Sequence, residues 1–328
     1  MPKRHDYGPL YTLQILTGEG GQANGINDQG WVVGLTYPNG MNNPSVGSWW
    51  TPLNDYAVQT FTEYDMAGPP NLVAIDDTGD IIPGSELLNI NTPGNLPKQG
   101  ATVPLQIISG AAAINNKSQI VSGNQLFNWA KKQSSTNPET IEPLTGQQDF
   151  AGYGINDLGD VVGQSGDLAA FAPASGGGKA TVSVGPGRLN DINSNKIAVG
   201  QFYIGGFPAF VDCTVPNPHM QYFLVPYFGE SNGFSPGIAN AINNLGTVVG
   251  TGDSDESTVA FFYQYQTANK LTQATDLNGH IVGNSPNGWI LTTATDINER
   301  GQIVGSATKD NQTRAYLLTP HSTLPPPG

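Results

Sequence analysis

Residues 23–34 read Ala-Asn-Gly-Ile-Asn-Asp-Gln-Gly-Trp-Val-Val-Gly, and this pattern decides the fold. Asn27 can close an Asx-turn onto the backbone two residues further on, and Gly30 supplies the positive φ of a tight hairpin turn. The Val32-Val33 pair that follows fits a buried strand. A final glycine, Gly34, suits a bulge or a close backbone approach. The stretch therefore predicts a β-hairpin whose second strand is buried.

The same pattern occurs seven times along the chain, with its isoleucine at Ile26, Ile75, Ile114, Ile155, Ile192, Ile242 and Ile297. The mean spacing is about 45 residues, which is the pitch of a four-stranded propeller blade. Asp76 replaces the asparagine in the second copy, and Ser118 and Lys196 replace the turn glycine in the third and fifth. We expect the hairpins of Ser118 and Lys196 to be the least regular, because a side chain disfavours positive φ.

Further strands are predicted after each hairpin. Third strands combine a small residue with aromatic or other apolar ones, and we expect their rings to pack between blades. Candidate fourth strands lie at residues 57–62, 102–107, 140–144, 181–184, 221–225 and 270–277. The seventh copy lacks a fourth strand, and the segment 10–16 can supply it and so remove the exposed sheet edges.

The sequence thus predicts an all-β fold, a seven-bladed β-propeller with four-stranded blades, in which the N-terminal strand closes the last blade. A single domain is expected over residues 10–320, after an N-terminal extension at 1–9 and before a Pro-rich tail at 321–328. An open stack of hairpins with two free edges is the alternative.

The pattern Ala-x-x-Ile-Asn-x-x-Gly-x-Val-Val-Gly, followed by Ala-Phe-Leu, resembles the bacterial HAF repeat. Residues 23–30, 276–298 and 315–320 are especially similar, and the resemblance covers nearly the whole chain. It implies a secreted or surface-exposed β-repeat protein, although no signal peptide is present in the chain as given. The family carries no catalytic residues to transfer, and Asp76, Ser118 and Lys196 depart from its pattern.

Composition excludes several classes of partner. The formal net charge is −13 and only 12% of the 328 residues are charged, so nucleic acid would be repelled. No apolar stretch is long enough for a transmembrane helix, and membrane insertion is not expected. Cys213 is the only cysteine, which rules out an intrachain disulfide. We expect its thiol to be buried.

No residue constellation identifies a reaction. The four histidines are isolated, and residues 233–237 match Gly-x-Ser-x-Gly without the strand before and the helix after that a nucleophile needs. The sequence therefore favours a protein that is not an enzyme and has no cofactor. One acidic loop can coordinate Ca²⁺ through Asp253, Asp255 and Glu256, and a plain solvated loop is the alternative.

Candidate ligand-binding residues lie on long connections rather than on the hairpin turns. Those turns are short and uniform, whereas the connections 35–46, 63–71, 86–100, 201–206 and 228–236 vary in length and composition, as functional loops do. Aromatic rings beside carboxylates suit stacking on a sugar and hydrogen bonding to its hydroxyls. The candidates are Tyr37, Glu63, Asp65, Tyr203, Phe228, Glu230 and Phe234. The alternative is that these side chains only cap loops.

These observations favour a monomeric, non-enzymatic binding or recognition module of the cell surface or extracellular space, with a carbohydrate or protein ligand. One alternative is a polysaccharide-active lyase or hydrolase with its site at the central funnel of the propeller. The other is a structural scaffold without a small ligand.

Overall fold

The computed structural model describes residues 10–16, 20–37, 45–60, 72–83, 88–89, 111–128, 138–147, 149–174, 179–223, 225–226, 234–253, 258–265, 274–282 and 288–321. Within these ranges the chain is built of β-strands, apart from the short 3-10 helices Pro52–Asn54 and Leu277–His280. The predicted all-β class is confirmed. None of the helices in these ranges has the length and apolar character needed to cross a membrane.

The strands are numbered in chain order. The first half of the described chain holds β1 Tyr11–Ile15, β2 Gln22–Ile26, β3 Val32–Thr36, β4 Val46–Trp50, β5 Gln59–Thr60, β6 Leu72–Ile75, β7 Asp80–Pro83, β8 Leu88–Asn89, β9 Ala111–Ile114, β10 Gln119–Ser122, β11 Gln125–Asn128, β12 Glu139–Glu142, β13 Ala151–Ile155, β14 Val161–Ser165, β15 Leu168–Ala172 and β16 Lys179–Ala180. The second half holds β17 Val182–Ile192, β18 Ile197–Phe202, β19 Phe207–Asp212, β20 Gln221–Tyr222, β21 Val225–Pro226, β22 Phe234–Ser235, β23 Gly237–Ile242, β24 Thr247–Asp253, β25 Thr258–Gln264, β26 Thr275–Asp276, β27 Ile290–Ile297, β28 Ile303–Lys309 and β29 Gln312–Pro320.

Each copy of the motif joins the first two strands of one antiparallel sheet. The four-stranded sheets β2-β3-β4-β5 and β23-β24-β25-β26 follow chain order, and so does the group β9-β10-β11-β12, against which β16 packs in parallel. The second copy has the three described strands β6-β7-β8. The predicted fourth strand at 102–107 lies outside the described residues.

The fourth and fifth copies share one long strand. The first part of β17 pairs with β15, with Leu168 opposite Pro186, and its second part pairs with β18, with Gly187 opposite Phe202. The last strand of the fourth copy's sheet, its outermost strand, therefore continues without a loop into the first strand of the fifth copy's sheet, its innermost strand. This continuity merges the two sheets into one seven-stranded sheet.

The N-terminal strand completes the sheet of the last copy, as predicted. Strand β1 pairs antiparallel with β29 from Tyr11 opposite Pro320 to Ile15 opposite Tyr316, and the sheet order is β1-β29-β28-β27. Tyr11 is almost fully buried in the hydrophobic cluster of the last two copies. The two ends of the described chain are thus held in the same sheet.

The hairpin turns are alike in all seven copies. In each, the residue at the asparagine position accepts a main-chain hydrogen bond from the residue three positions on, at 2.9–3.1 Å. Ser118 and Lys196 make this bond with φ of 54° and 61°, close to the 73–87° of the glycines. The prediction that their hairpins would be the least regular is wrong. The Asx-turn fixes the backbone there, and the side chain's strain in the left-handed region is not enough to change it.

The glycine that ends the motif makes room for a bulge in the innermost strand. The register of β2 against β3 shifts between Ala23 and Gly25, and a Cβ on Gly34 would collide with the carbonyl oxygen of Gln22. Equivalent shifts occur in the innermost strands of all six other copies, including the second and third, where Pro83 and Ser122 stand in place of the glycine. The predicted close backbone approach is therefore present.

The hydrophobic core is divided among the spaces between successive sheets. The buried side chains of the described residues form seven clusters, and each draws on two neighbouring copies, with the last joined to the first. Third-strand aromatics contribute as predicted: Trp50 packs between the seventh and first copies and Phe261 between the fifth and sixth. Cys213 is buried, and burial raises the pKa of its thiol to about 12.

Polar side chains also join each copy to the next. The asparagine Nδ2 of the motif donates to the main-chain oxygen of the equivalent residue in the following copy at 2.8–3.2 Å. The donor–acceptor pairs are Asn27 to Asp76, Asn115 to Asn156, Asn156 to Asn193, Asn193 to Asn243, Asn243 to Asn298, and Asn298 back to Asn27. The last pair spans 271 residues and connects the seventh copy to the first.

A second set of such bonds uses the bulge residues of the innermost strands. Asn24, Asn190 and Asn240 donate through Nδ2, and Thr295 through its hydroxyl, to main-chain oxygens of the next copy at 2.7–2.8 Å. Because these acceptors belong to a different sheet, the bonds fix the angle between sheets as well as their spacing. Two sets of hydrogen bonds, one from the motif asparagines and one from the bulge residues, therefore connect the innermost strands of neighbouring copies.

Removing one motif asparagine should destabilise the whole fold. In Asn193→Ala, the amide of Ile197 and the carbonyl of Asn243 both lose a buried partner, and we expect a loss of about 3 kcal/mol of unfolding free energy. Asn195→Ala is the matched control, since its bond to Asn244 is exposed and its loss should cost less than about 1 kcal/mol. Urea unfolding measures both, and equal effects would contradict the structural role of the ring.

Candidate functional site

A cavity of about 170 Å³ opens where the hairpin turns of all seven copies meet. Its walls carry the seven motif isoleucines, and five of the motif asparagines also line it. The residue after the asparagine supplies its polar rim, consisting of Asp28, Asp77, Asn116, Asp157, Ser194, Asn244 and Glu299. One position of the repeat is thus presented seven times around a single opening.

Six of the seven rim side chains, all except Ser194, accept a main-chain amide of the preceding copy. The amide of Asp28 donates to Asp77 at 2.7 Å, that of Asp77 to Asn116 at 2.9 Å, and that of Asn116 to Asp157 at 2.9 Å. On the other side, the amide of Ser194 donates to Asn244, that of Asn244 to Glu299, and that of Glu299 to Asp28, at 2.7–3.1 Å. These six side chains are therefore pre-organised acceptors rather than flexible groups.

Four of the rim side chains are carboxylates, and no basic side chain is among the described residues that line the cavity. Burial raises the pKa of Asp77, and the charges of Asp28 and Asp157 raise it further. Burial likewise raises the pKa of Glu299, which the charges of Asp28, Asp157 and Asp191 also increase. The carboxylates thus repel one another. The hydrogen bonds that they accept from main-chain amides lower their pKa values, but only by part of the amount that burial and repulsion raise them.

Two further carboxylates lie one residue before the cavity isoleucines on the innermost strands. Asp191 accepts the amides of Ile192 and Ile242 at 2.8 and 2.9 Å, and Asp296 accepts those of Ile297 and Ile26 at 2.8 Å. Each carboxylate therefore bridges two neighbouring copies. Burial raises the pKa of Asp191, and it raises that of Asp296 to about 7, with the charges of Asp191 and Asp28 adding to the shift.

The cavity presents carboxylate and amide oxygens that the fold itself holds in place. The described lining contains no histidine, cysteine, tyrosine or lysine. Each carboxylate of the rim accepts a main-chain amide from a neighbouring copy, so its orientation already serves the fold. What the cavity offers a ligand is negative charge and a circle of hydrogen-bond acceptors. Such a surface attracts a group that is cationic and rich in donors.

The sequence-predicted ligand residues do not line this cavity. Tyr37 follows β3 beside Gly20, Tyr203 is 40% exposed in the turn between β18 and β19, and Phe234 begins β22. All three lie at the strand ends opposite the hairpin turns. Glu63, Asp65, Phe228 and Glu230 lie outside the described residues.

The predicted calcium loop is only partly described. Asp253 is exposed at the end of β24, and Thr258 begins β25, so the loop joins these two strands as expected. Asp255 and Glu256 lie outside the described residues. Among the residues that are described, no group of three potential metal-ligating side chains occurs, and the calcium site stays a prediction.

The rim was missed because uniform turns were interpreted as structural. The available signal was the polar residue that follows the asparagine in every copy. In a closed ring, equivalent positions of equivalent turns face one axis, so a polar residue repeated there must form one site. The carboxylates of Asp191 and Asp296 gave a second signal, since the other copies carry glycine or alanine at that position.

Comparison with known proteins assigns the fold. Among solved structures, the chain is similar to YCF48 bound to the D1 peptide, with 13% identity over 98% of both chains and a TM-score of 0.58. It is also similar to U3-55K, with 14% identity over 95% of this chain and 100% of that one and a TM-score of 0.57. No family model and no curated protein matches the sequence. These similarities establish a β-propeller type of fold.

The carboxyl group of Asp296 should titrate near neutral pH. Its pKa of about 7 lies above the ordinary 3.8, so the folded state binds this proton more tightly than the unfolded state. The resulting stabilisation is complete below pH ~4 and is lost as the pH rises through about 7. Carbon-detected NMR of the side-chain carboxyl, with the exposed Asp167 as reference signal, measures the midpoint. A midpoint near 4 would contradict the prediction and mean that the two amide bonds to the carboxylate offset the effect of its burial.

Proposed function

We propose that this protein is a non-enzymatic binding module of the β-propeller type, which binds a protein or peptide segment over the acidic cavity. The observation that carries the proposal is the rim, where one polar residue from every copy lines a single opening and six of the seven side chains are held by main-chain amides. Pre-organisation of this kind reduces the entropy lost on binding.

The charge of the cavity favours a basic segment. Four carboxylates on the rim, and Asp191 and Asp296 on the strands behind it, have no basic partner among the described lining residues. The protein as a whole carries a net charge of −13, so long-range attraction points in the same direction. A lysine or arginine side chain entering the cavity would supply both the missing charge and several donors.

A peptide ligand explains the cavity better than a sugar. Stacking on an aromatic ring is the usual contribution to sugar binding, and no aromatic residue is among the described residues of the lining. The similar structure of YCF48 contains a bound D1 peptide, which supports a propeller of this type as a peptide receptor. Carbohydrate binding through Tyr37, Tyr203 and the neighbouring loops remains a separate hypothesis at the other end of the strands.

The carboxylates that meet at the cavity leave a polysaccharide-active enzyme as the alternative function. A polysaccharide-active enzyme at the funnel would require at least two titratable groups on one face, and Asp28, Asp77, Asp157 and Glu299 meet there. Their bonds to main-chain amides favour a structural and binding role over proton transfer. Release of reducing sugar from acidic or neutral polysaccharides is the assay that distinguishes the two.

We also propose that the propeller is a closed ring of seven blades. Seven motif copies, seven hydrophobic clusters between successive sheets and the bond from Asn298 to Asn27 support a ring in which the last copy meets the first. The resemblance to the HAF repeat, and with it a secreted or cell-surface location, is kept as a proposal on the strength of the motif.

The binding proposal predicts a preference for basic peptides. Fluorescence anisotropy with labelled peptides of equal length and basic, neutral or acidic composition should show saturable binding of the basic set, weakened by added salt. Asp28→Asn, Asp157→Asn and Glu299→Gln together remove three rim charges and keep one acceptor oxygen each. We expect this triple variant to bind basic peptides about 10-fold more weakly.

The control carries the same kind of change away from the cavity. Asp167→Asn and Glu139→Gln alter exposed carboxylates on a turn and on an outer strand, and affinity should stay as in the wild type. If no peptide set binds, or if the triple variant and the control bind equally, the cavity is not the binding site. A parallel glycan panel tests the hypothesis for the opposite end of the strands.

A further inference from the structure

Asp76 is the only member of the motif ring that is not an asparagine. In the other six copies, Oδ1 accepts amides of the turn while Nδ2 donates to a main-chain oxygen of the next copy. Asp76 keeps the first half of this arrangement, since its Oδ1 accepts the amides of Thr78 and Asp80, both at 2.9 Å. Its Oδ2 therefore occupies the position that Nδ2 has in the other copies.

That oxygen has no partner. The side chain of Asp76 is 2% exposed, and Oδ2 is a buried polar atom without a hydrogen bond. By equivalence with the six asparagines, the group next to it is the main-chain oxygen of Asn115 in the third copy. An ionised carboxylate can only accept hydrogen bonds. Its Oδ2 would then face the main-chain oxygen of Asn115, another acceptor, with no donor between them in a buried site.

We infer that Asp76 carries a proton on Oδ2 and donates it in a hydrogen bond to the main-chain oxygen of Asn115. The neutral acid then has the same shape and the same donor and acceptor pattern as asparagine, and the ring of seven links is complete. Loss of the proton opens this link and places a negative charge between the second and third copies. The protein thus contains one pH-sensitive joint among seven otherwise equivalent ones.

The surroundings of Asp76 support its neutral form. Burial raises its pKa to about 6, and the charge of Asp80 contributes to the rise, whereas bonds from Thr78 and Asp80 oppose it. Asp77 lies on the same hairpin and Asp28 on that of the first copy, while Lys117 of the third copy lies on an exposed turn. Ser118, also of the third copy, contacts Asp80 at 3.5 Å. The charges around the site are therefore mostly negative, which favours a bound proton.

The sign of the effect on stability follows from the shift. The folded state holds the proton up to a pH of about 6, whereas the unfolded chain releases it near 4. This contribution to stability is complete below pH ~4 and is lost as the pH rises through about 6. Asparagine at the same place donates at every pH and lacks this dependence.

The test is Asp76→Asn, compared with the wild type by urea unfolding between pH 4 and pH 8. The two proteins should be about equally stable at pH 4. The variant should then become more stable than the wild type as the pH rises, so that the ratio of its folding equilibrium constant to that of the wild type grows about 50-fold between pH 4 and pH 8. Taking the ratio cancels the titration of the other buried carboxylates. A ratio that is constant with pH, or one that falls, would overturn the inference.

The reverse change is the matched control. Asn193→Asp places an acid at the same motif position in the fifth copy, where Nδ2 donates to Asn243 at 3.0 Å. We expect this variant to be less stable than the wild type at pH 8 and to recover on acidification. Carbon-detected NMR of the wild-type Asp76 carboxyl gives a reading that needs no variant. A midpoint near 6 supports the inference, and a midpoint near 4 overturns it even if Asp76→Asn fails to fold.

Discussion

The structure depends on hydrogen bonds and apolar contacts that cross from each copy of the repeat to the next. The main-chain oxygen at each motif asparagine accepts a bond within its own turn, and in six copies also from the side chain of the preceding copy. The apolar side chains behave alike, because each cluster lies between two sheets rather than within one. Each hairpin is therefore stabilised largely by its neighbours, and the contacts between the last and first copies extend this stabilisation to both ends of the described chain.

The local pattern predicted much of this fold because the conformation of a tight turn is determined by a few adjacent residues. The Asx-turn of Asn27, the bulge beside Gly34 and the N-terminal strand in the last sheet all followed from spacing and side-chain type. The error about Ser118 and Lys196 arose from weighing a residue's own φ preference above the turn around it. The location of the cavity follows from the local pattern only when it is combined with the ring, since the axis on which equivalent turns converge is a property of the ring.

The repeat brings carboxylates that are far apart in the sequence together at the cavity. Few residues of the chain are charged, yet the position after the asparagine carries a carboxylate in four copies, and the ring brings these together. Main-chain amides hold the carboxylates, so the fold and the cavity use the same atoms. Any ligand bound there acts directly on the contacts between copies. Binding at the rim should therefore also stabilise the ring.

The pairing of β1 with β29 has a consequence for how the protein is made. Tyr11 pairs with Pro320, so the last sheet cannot be completed until almost the entire described chain has left the ribosome. Until then the bonds from Asn298 to Asn27 and from Asp296 to Ile26 are also absent. Contacts so distant in sequence slow folding and leave a strand edge exposed during synthesis. Strand β1 can therefore pair with β29 only after residue 320 has been synthesised, and until then the edge of β1 stays open to pairing with other chains.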